Sequence, residues 1–117
     1  MGKVAIVCNG AEKNNLYPAF VFGSAAIASG DEVIIFFTPA AAPALVPGYF
    51  ETVKNKGFPD LIDLVEGIQA LGGRLQVCEI ILENKDMKAE DLRPGIELAG
   101  ATSFMIDIKD ATTTFSF

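Results

Sequence analysis

The chain has no histidine and no tryptophan, two cysteines, and nine lysines and arginines against fifteen aspartates and glutamates. Each shortage removes a class of function. Without histidine there is neither the usual general base near neutral pH nor the commonest metal ligand, so a Cys-His nucleophile pair and ordinary zinc hydrolysis are excluded within one chain. A net charge of −6 with no basic tract argues against a nucleic-acid surface, because phosphate binding draws on clustered Lys and Arg. No apolar run is long enough to span a bilayer, and the apolar opening from Met1 to Val7 is too short for a signal-peptide core. Cys8 and Cys78 stand seventy positions apart, which fits a reducing compartment, the cytoplasm, better than a disulfide scaffold.

What is present is apolar. Half of the 117 residues are hydrophobic, enough for one core in one domain spanning residues 1–117, with apolar surface left over for self-association. Lys3 to Cys8 is a continuous apolar run, as a parallel strand covered on both faces requires. Asn9 to Ala11 supply a turn. Asn14 or Asn15 is the expected cap of a helix running to about Ser29, with Pro18 near its start, Ala19, Phe22 and Ala26 on its apolar face, and Gly30 ending it. Glu32 to Phe37 is a second strand, ending at Thr38-Pro39. Ala40 to Val46 reads as a short helix interrupted by proline, and Gly48 to Gly57 as an exposed excursion. Tyr49, Phe50 and Phe58 lie in or beside that excursion, either covering a pocket or partner surface or packing on their own core.

From Asp60 the apolar residues Leu61, Leu64, Val65, Ile68 and Leu71 recur at helical spacing until Gly72-Gly73 stops them. A third strand follows to Cys78. Glu79 to Asn84 forms a turn or helix expected to bury Ile80, Ile81 and Leu82. Gly95 to Leu98 is a short fourth strand, Gly100 to Lys109 a final helix with Phe104, Met105 and Ile108 on one face, and Thr112 to Phe117 a closing strand. The β-α alternation without repeat or linker defines an α/β domain.

Open α/β sheets bind ligands outside the carboxyl ends of their strands, and Cys78 ends strand three. It is a candidate nucleophile, with the alternative that it is a buried small hydrophobe, as free cysteines commonly are. A helix beginning directly after Cys78 would favour its thiolate, and Lys85, Lys88 and Arg93 would add positive charge, whereas the adjoining Glu79 opposes it. The loop from Asn9 to Asn15 stands at a strand-to-helix junction, so Asn9 and Gly10, with Thr38 on the next strand end and Arg93, form a candidate site for a small anion such as a sulfonate. Cys8 reads as a buried strand residue.

The segment GGRLQVCEIILENKDMKAEDLRPGIELAGA, residues 72–101, has a strand ending in Cys78, an acidic Lys88-Ala89-Glu90-Asp91-Leu92 stretch, a turn into a strand at Gly95-Ile96-Glu97, and Ala99-Gly100-Ala101-Thr102 opening a helix. It resembles the DsrE/DsrF-like sulfur-relay family, and the opening KVAIVCNGAEKNNLYPAFVFGSAAIASGDEVIIFFT is similar to that family's first strand, loop, helix and second strand. The resemblance implies a three-layer α/β/α sandwich with a mainly parallel sheet of about five strands, strand two lying between strands one and three, whereas a flavodoxin order would place strand one beside strand three. It implies further that one cysteine, matched here by Cys78, holds sulfane sulfur as a persulfide or a thiosulfonate adduct. No metal and no cofactor are implied. The partners it implies are a small sulfur anion, a sulfur donor or acceptor protein, and further copies of the chain. Glu79 departs from the small or neutral residue expected beside the family's cysteine.

These readings leave three functions to separate. The first is a sulfurtransferase-like carrier acting through Cys78. The second is a non-catalytic binding or scaffold subunit of the same fold. The third is a flavodoxin-like FMN carrier, which shares the architecture but needs a Ser/Thr/Gly-rich phosphate loop after strand one that this chain lacks.

Overall fold

The computed structural model describes residues 2–117. Five strands form one sheet: β1 (Lys3–Cys8), β2 (Glu32–Phe37), β3 (Arg74–Cys78), β4 (Ile96–Ala99) and β5 (Thr113–Ser116). Their order is β4-β3-β2-β1-β5, and every neighbouring pair is parallel. The sheet is therefore wholly parallel. β2 lies between β1 and β3, as the family resemblance implies, and the flavodoxin-type order is excluded.

Register assigns each strand residue to a face. Cys8 pairs with Phe37, and Phe37 with Val77, so these three share one face with Ile6, Ile35 and Leu75. That face is covered by α1 (Lys13–Ala28), α3 (Leu61–Ala70) and a 3-10 segment, Pro39–Leu45. α1 can lie close to the sheet because of Gly23, where a Cβ would come within 3.2 Å of Ile35 and Ile68. Phe20 packs between Phe37 and Phe50 at centroid distances of 5.9 and 5.3 Å. Burying each such side chain contributes roughly 1.5–3 kcal/mol.

The opposite face carries Ala5, Ile34, Phe36, Gln76, Cys78 and Ala99. Its one helical cover is α5 (Ala101–Asp107), whose Phe104 stacks on Phe36 at 4.5 Å. Toward the amino ends of the strands this face becomes polar. Arg74 makes a two-pronged contact with Glu97 (2.9 and 3.2 Å) and reaches Asp107 (3.4 Å), while Gln76 Nε2 donates to both acids.

Several local expectations are corrected. α1 begins at Lys13 after Glu12, with no side-chain cap from Asn14 or Asn15, which places Pro18 in the second turn. Its buried residues are Leu16, Tyr17, Ala19, Phe20 and Gly23, whereas Phe22 is exposed and stacks on Phe115 and Phe117 at the sheet edge. The excursion from Gly48 contains a one-turn helix, α2 (Tyr49–Thr52), that drives Phe50 into the core; Phe58 lies edge-on against Tyr17. In α4 (Ile81–Asn84) only Ile81 is buried, with Ile80 55% and Leu82 46% exposed. Met105 of α5 is likewise exposed, because a helix this short buries one residue, Phe104, on a face already shared with polar groups.

Candidate functional site

Cys78 is the last residue of β3 and pairs with Ala99 of β4. One more ladder bond, from Glu79 N to Ala99 O (3.0 Å), holds the chain in register before it turns. Bonds from Leu82 N to Glu79 O and from Asn84 N to Ile80 O then close the single turn of α4, with Ile81 as its plug into the core. The start of α5 rises on the other side. Between them is an open cleft of about 410 Å³ lined by Cys78, Glu79, Ile80, Leu82, Glu83, Gly100 and Ala101. Gly100 lies close to the Glu79 carboxylate: a Cβ there would be 3.1 Å from Glu79 Oε1.

The two cysteines differ in access. Cys78 is half-buried and lines the cleft. Cys8 has no exposed surface, its S–H donates to Gly10 O at 3.4 Å, and burial pushes its thiol up to about 11. At neutral pH Cys8 is a core residue. The expected helix start beside Cys78 is displaced: α4 begins at Ile81 and has four residues, too few aligned peptides for an appreciable macrodipole. Neither Lys85 nor Lys88 lines the cleft, and neither Glu79 nor Glu83 has an ion-pair partner among the described residues.

The candidate anion residues divide between the two faces. Extending the β2–β3 register by one residue sets Thr38 beside Cys78, and Thr38 Oγ1 donates to Asn9 Oδ1 at 2.7 Å. These two share the carboxyl edge with Cys78 without lining its cleft. Gly10 belongs to the wall around Cys8, packed against the Asn15 carboxamide. Arg93 is not brought to Cys78. Its guanidinium lies 5.1 Å from the centre of the Phe50 ring and 4.0 Å from Glu51, its amide donates to Leu45 O, and its Nε is buried without a partner. Phe50 and Leu45 belong to the core on the helix-covered side, so Arg93 ties a loop to that side.

Gln76, the one buried polar residue among those described, escaped the sequence reading. The signal was the alternation of Arg74, Gln76 and Cys78 with Leu75 and Val77, which marks a strand with one polar face. Glu83 was missed because a single helical turn gives no periodicity to read.

The architecture is that of a doubly covered, wholly parallel α/β sheet with a cysteine-bearing cleft at its carboxyl edge. The DsrE/DsrF-like family profile matches residues 2–117, and the chain belongs to this family, whose members generally relay sulfur. An uncharacterized protein of Methanocaldococcus jannaschii is 32% identical over 89 residues, 76% of this chain; the chain spans about a third of that relative's length, 32%. The crystal structure of the ychN protein from E. coli superposes with a TM-score of 0.80 at 19% identity, covering 100% of both chains, a likeness of fold. Among the described residues no helix is long and apolar enough to cross a membrane.

Proposed function

We propose that this chain is a sulfur carrier of one domain, residues 1–117, that takes sulfane sulfur onto Cys78 and passes it to a partner thiol in a reducing compartment, the cytoplasm. The observation that supports it is a half-buried cysteine opening into a cleft at the carboxyl edge, in a chain of a sulfur-relay family. The chemistry is thiolate exchange. The Cys78 thiolate attacks the outer sulfur of a persulfide R–S–SH, a new S–S bond forms as the old one breaks, and R–S⁻ leaves. Thiosulfate would lose sulfite in the same way, leaving a persulfide. Tetrathionate would lose thiosulfate and leave a thiosulfonate adduct. A partner thiolate then attacks the outer sulfur on Cys78 and regenerates the Cys78 thiolate. Only an accessible thiolate is required. In this reading Asn9 and Thr38, at the neighbouring strand ends, are the candidate contacts for an anion.

Intact mass of the reduced protein after exposure to tetrathionate, thiosulfate and cysteamine persulfide tests the reading. A dithiothreitol-reversible sulfur adduct, mapped to Cys78, absent from Cys78→Ser and retained in Cys8→Ser, is expected. No adduct with any donor, or one that survives Cys78→Ser, rejects it. A scaffold role for the same fold is the second reading, favoured by Glu79 beside the thiol and by exposed Met105 and Ile106. Both readings include self-association into a closed oligomer, for which a monomeric mass by light scattering would be the counter-result.

A further inference from the structure

The chemistry of the Cys78 cleft bears on what can deliver sulfur to it. The charged residues that line it are Glu79 and Glu83, with no lysine or arginine, and neither acid is neutralised by an ion pair among the described residues. The Glu79 carboxylate lies near Gly100, on the opposite wall of the cleft. The remaining rim, Ile80 and Leu82, is apolar and exposed. Free sulfur oxyanions such as thiosulfate and tetrathionate carry two negative charges and would have to pass both acids to reach the sulfur. Both acids are exposed, so that repulsion depends on ionic strength.

We infer that Glu79 and Glu83 act as a charge filter, so that Cys78 takes sulfur faster from a thiol-bound persulfide in neutral or basic surroundings than from free sulfur oxyanions. For its biological donor the inference rests on the carrier reading. The charge selection is a property of the cleft itself and is tested without sulfur transfer.

Three methanethiosulfonate reagents share one reacting group and differ in charge: the trimethylammonium-ethyl, methyl and sulfonatoethyl forms. Each transfers its thio group to a thiolate and releases methanesulfinate. Rates at Cys78, with Cys78→Ser as the blank, are divided by each reagent's rate with 2-mercaptoethanol. The expected order is cationic, neutral, anionic, with at least about a tenfold spread between the extremes at low salt. The spread should shrink to about twofold in 1 M salt, where the Debye length is about 3 Å. In the double variant Glu79→Gln, Glu83→Gln the normalised rates should converge. An anionic reagent as fast as the cationic one, a spread untouched by the double substitution, or a Cys78 that reacts with none of the three would each overturn the filter. If the order holds while neither cysteamine persulfide nor tetrathionate loads sulfur, the carrier reading fails and the filter stands.

Discussion

On one face of the sheet, Ile6, Ile35, Phe37, Leu75 and Val77 lie wholly buried beneath α1, α3 and the Pro39–Leu45 segment. On the other, Ala5, Ile34 and Phe36 are covered by the seven residues of α5, and Arg74, Gln76 and Glu97 share the surface with them. The thick face is where the chain secures its stability. The thin face leaves the last residue of β3 open, and a thiol one position earlier, at Val77, would have been sealed under the helices of the thick face. The accessibility of Cys78 thus depends on incomplete cover.

The contrast can be broken first through the thick face. Phe20→Ala removes a ring packed against two others and should cost about 3–5 kcal/mol, read as a lower urea midpoint at unchanged slope. A loss under 1 kcal/mol would mean the face is less tightly packed than described. Cys8 should make the thick face sensitive to alkali. Its folded thiol is raised from an ordinary value of 9.0 to about 11 by burial. The stability this neutral group contributes is whole below pH 9 and is lost as pH rises toward 11, by up to roughly 3 kcal/mol. Denaturant midpoints from pH 8 to 11 should show the decline, and Cys8→Ala should flatten it.

On the thin face, Phe104→Ala should cost less than Phe20→Ala, about 2 kcal/mol, because a short surface helix can settle into the space. It should also speed labelling of Cys78 by loosening the wall that begins at Gly100. Unchanged labelling would separate α5 from the cleft. The smallest effect belongs to Glu97. Its carboxyl is held below the ordinary 4.5 chiefly by the hydrogen bond from Arg74. That contribution is present above pH 4.5 and is lost as pH falls through the lowered folded value. Because the pair is partly exposed, Glu97→Gln should cost under about 1 kcal/mol at pH 7 and less as the pH falls below 4.5, as paired denaturation curves would show.

Much of the thick face was legible because its residues announce themselves locally. The runs Val4 to Val7 and Val33 to Phe37 leave little choice but buried parallel strands, and Leu61, Leu64, Val65 and Ile68 trace a helix by spacing alone. The order of strands was legible only through family resemblance. The thin face was harder. Ile80 and Leu82 look like core residues in sequence, and what exposes them is the single turn after Cys78, which can aim one side chain, Ile81, inward. Arg93 looked like an anion ligand because sequence cannot show that a ring forty-three positions earlier, Phe50, lies beneath it. The stack of Phe22 with Phe115 and Phe117 likewise depends on β5 returning beside β1.

Cys8 and Cys78 lie two strands apart and on opposite faces of the sheet. Two strand spacings amount to about 10 Å, beyond the roughly 7 Å that a disulfide tolerates between Cα atoms. Whatever is bonded to Cys78 therefore has no exit through Cys8. Many redox proteins keep a second thiol nearby that discharges the first within the same molecule, which gives them a built-in timer. Here the clock is external. In the proposed carrier a group on Cys78 would wait for a collision, and its dwell time would be set by how often a second thiol reaches the cleft.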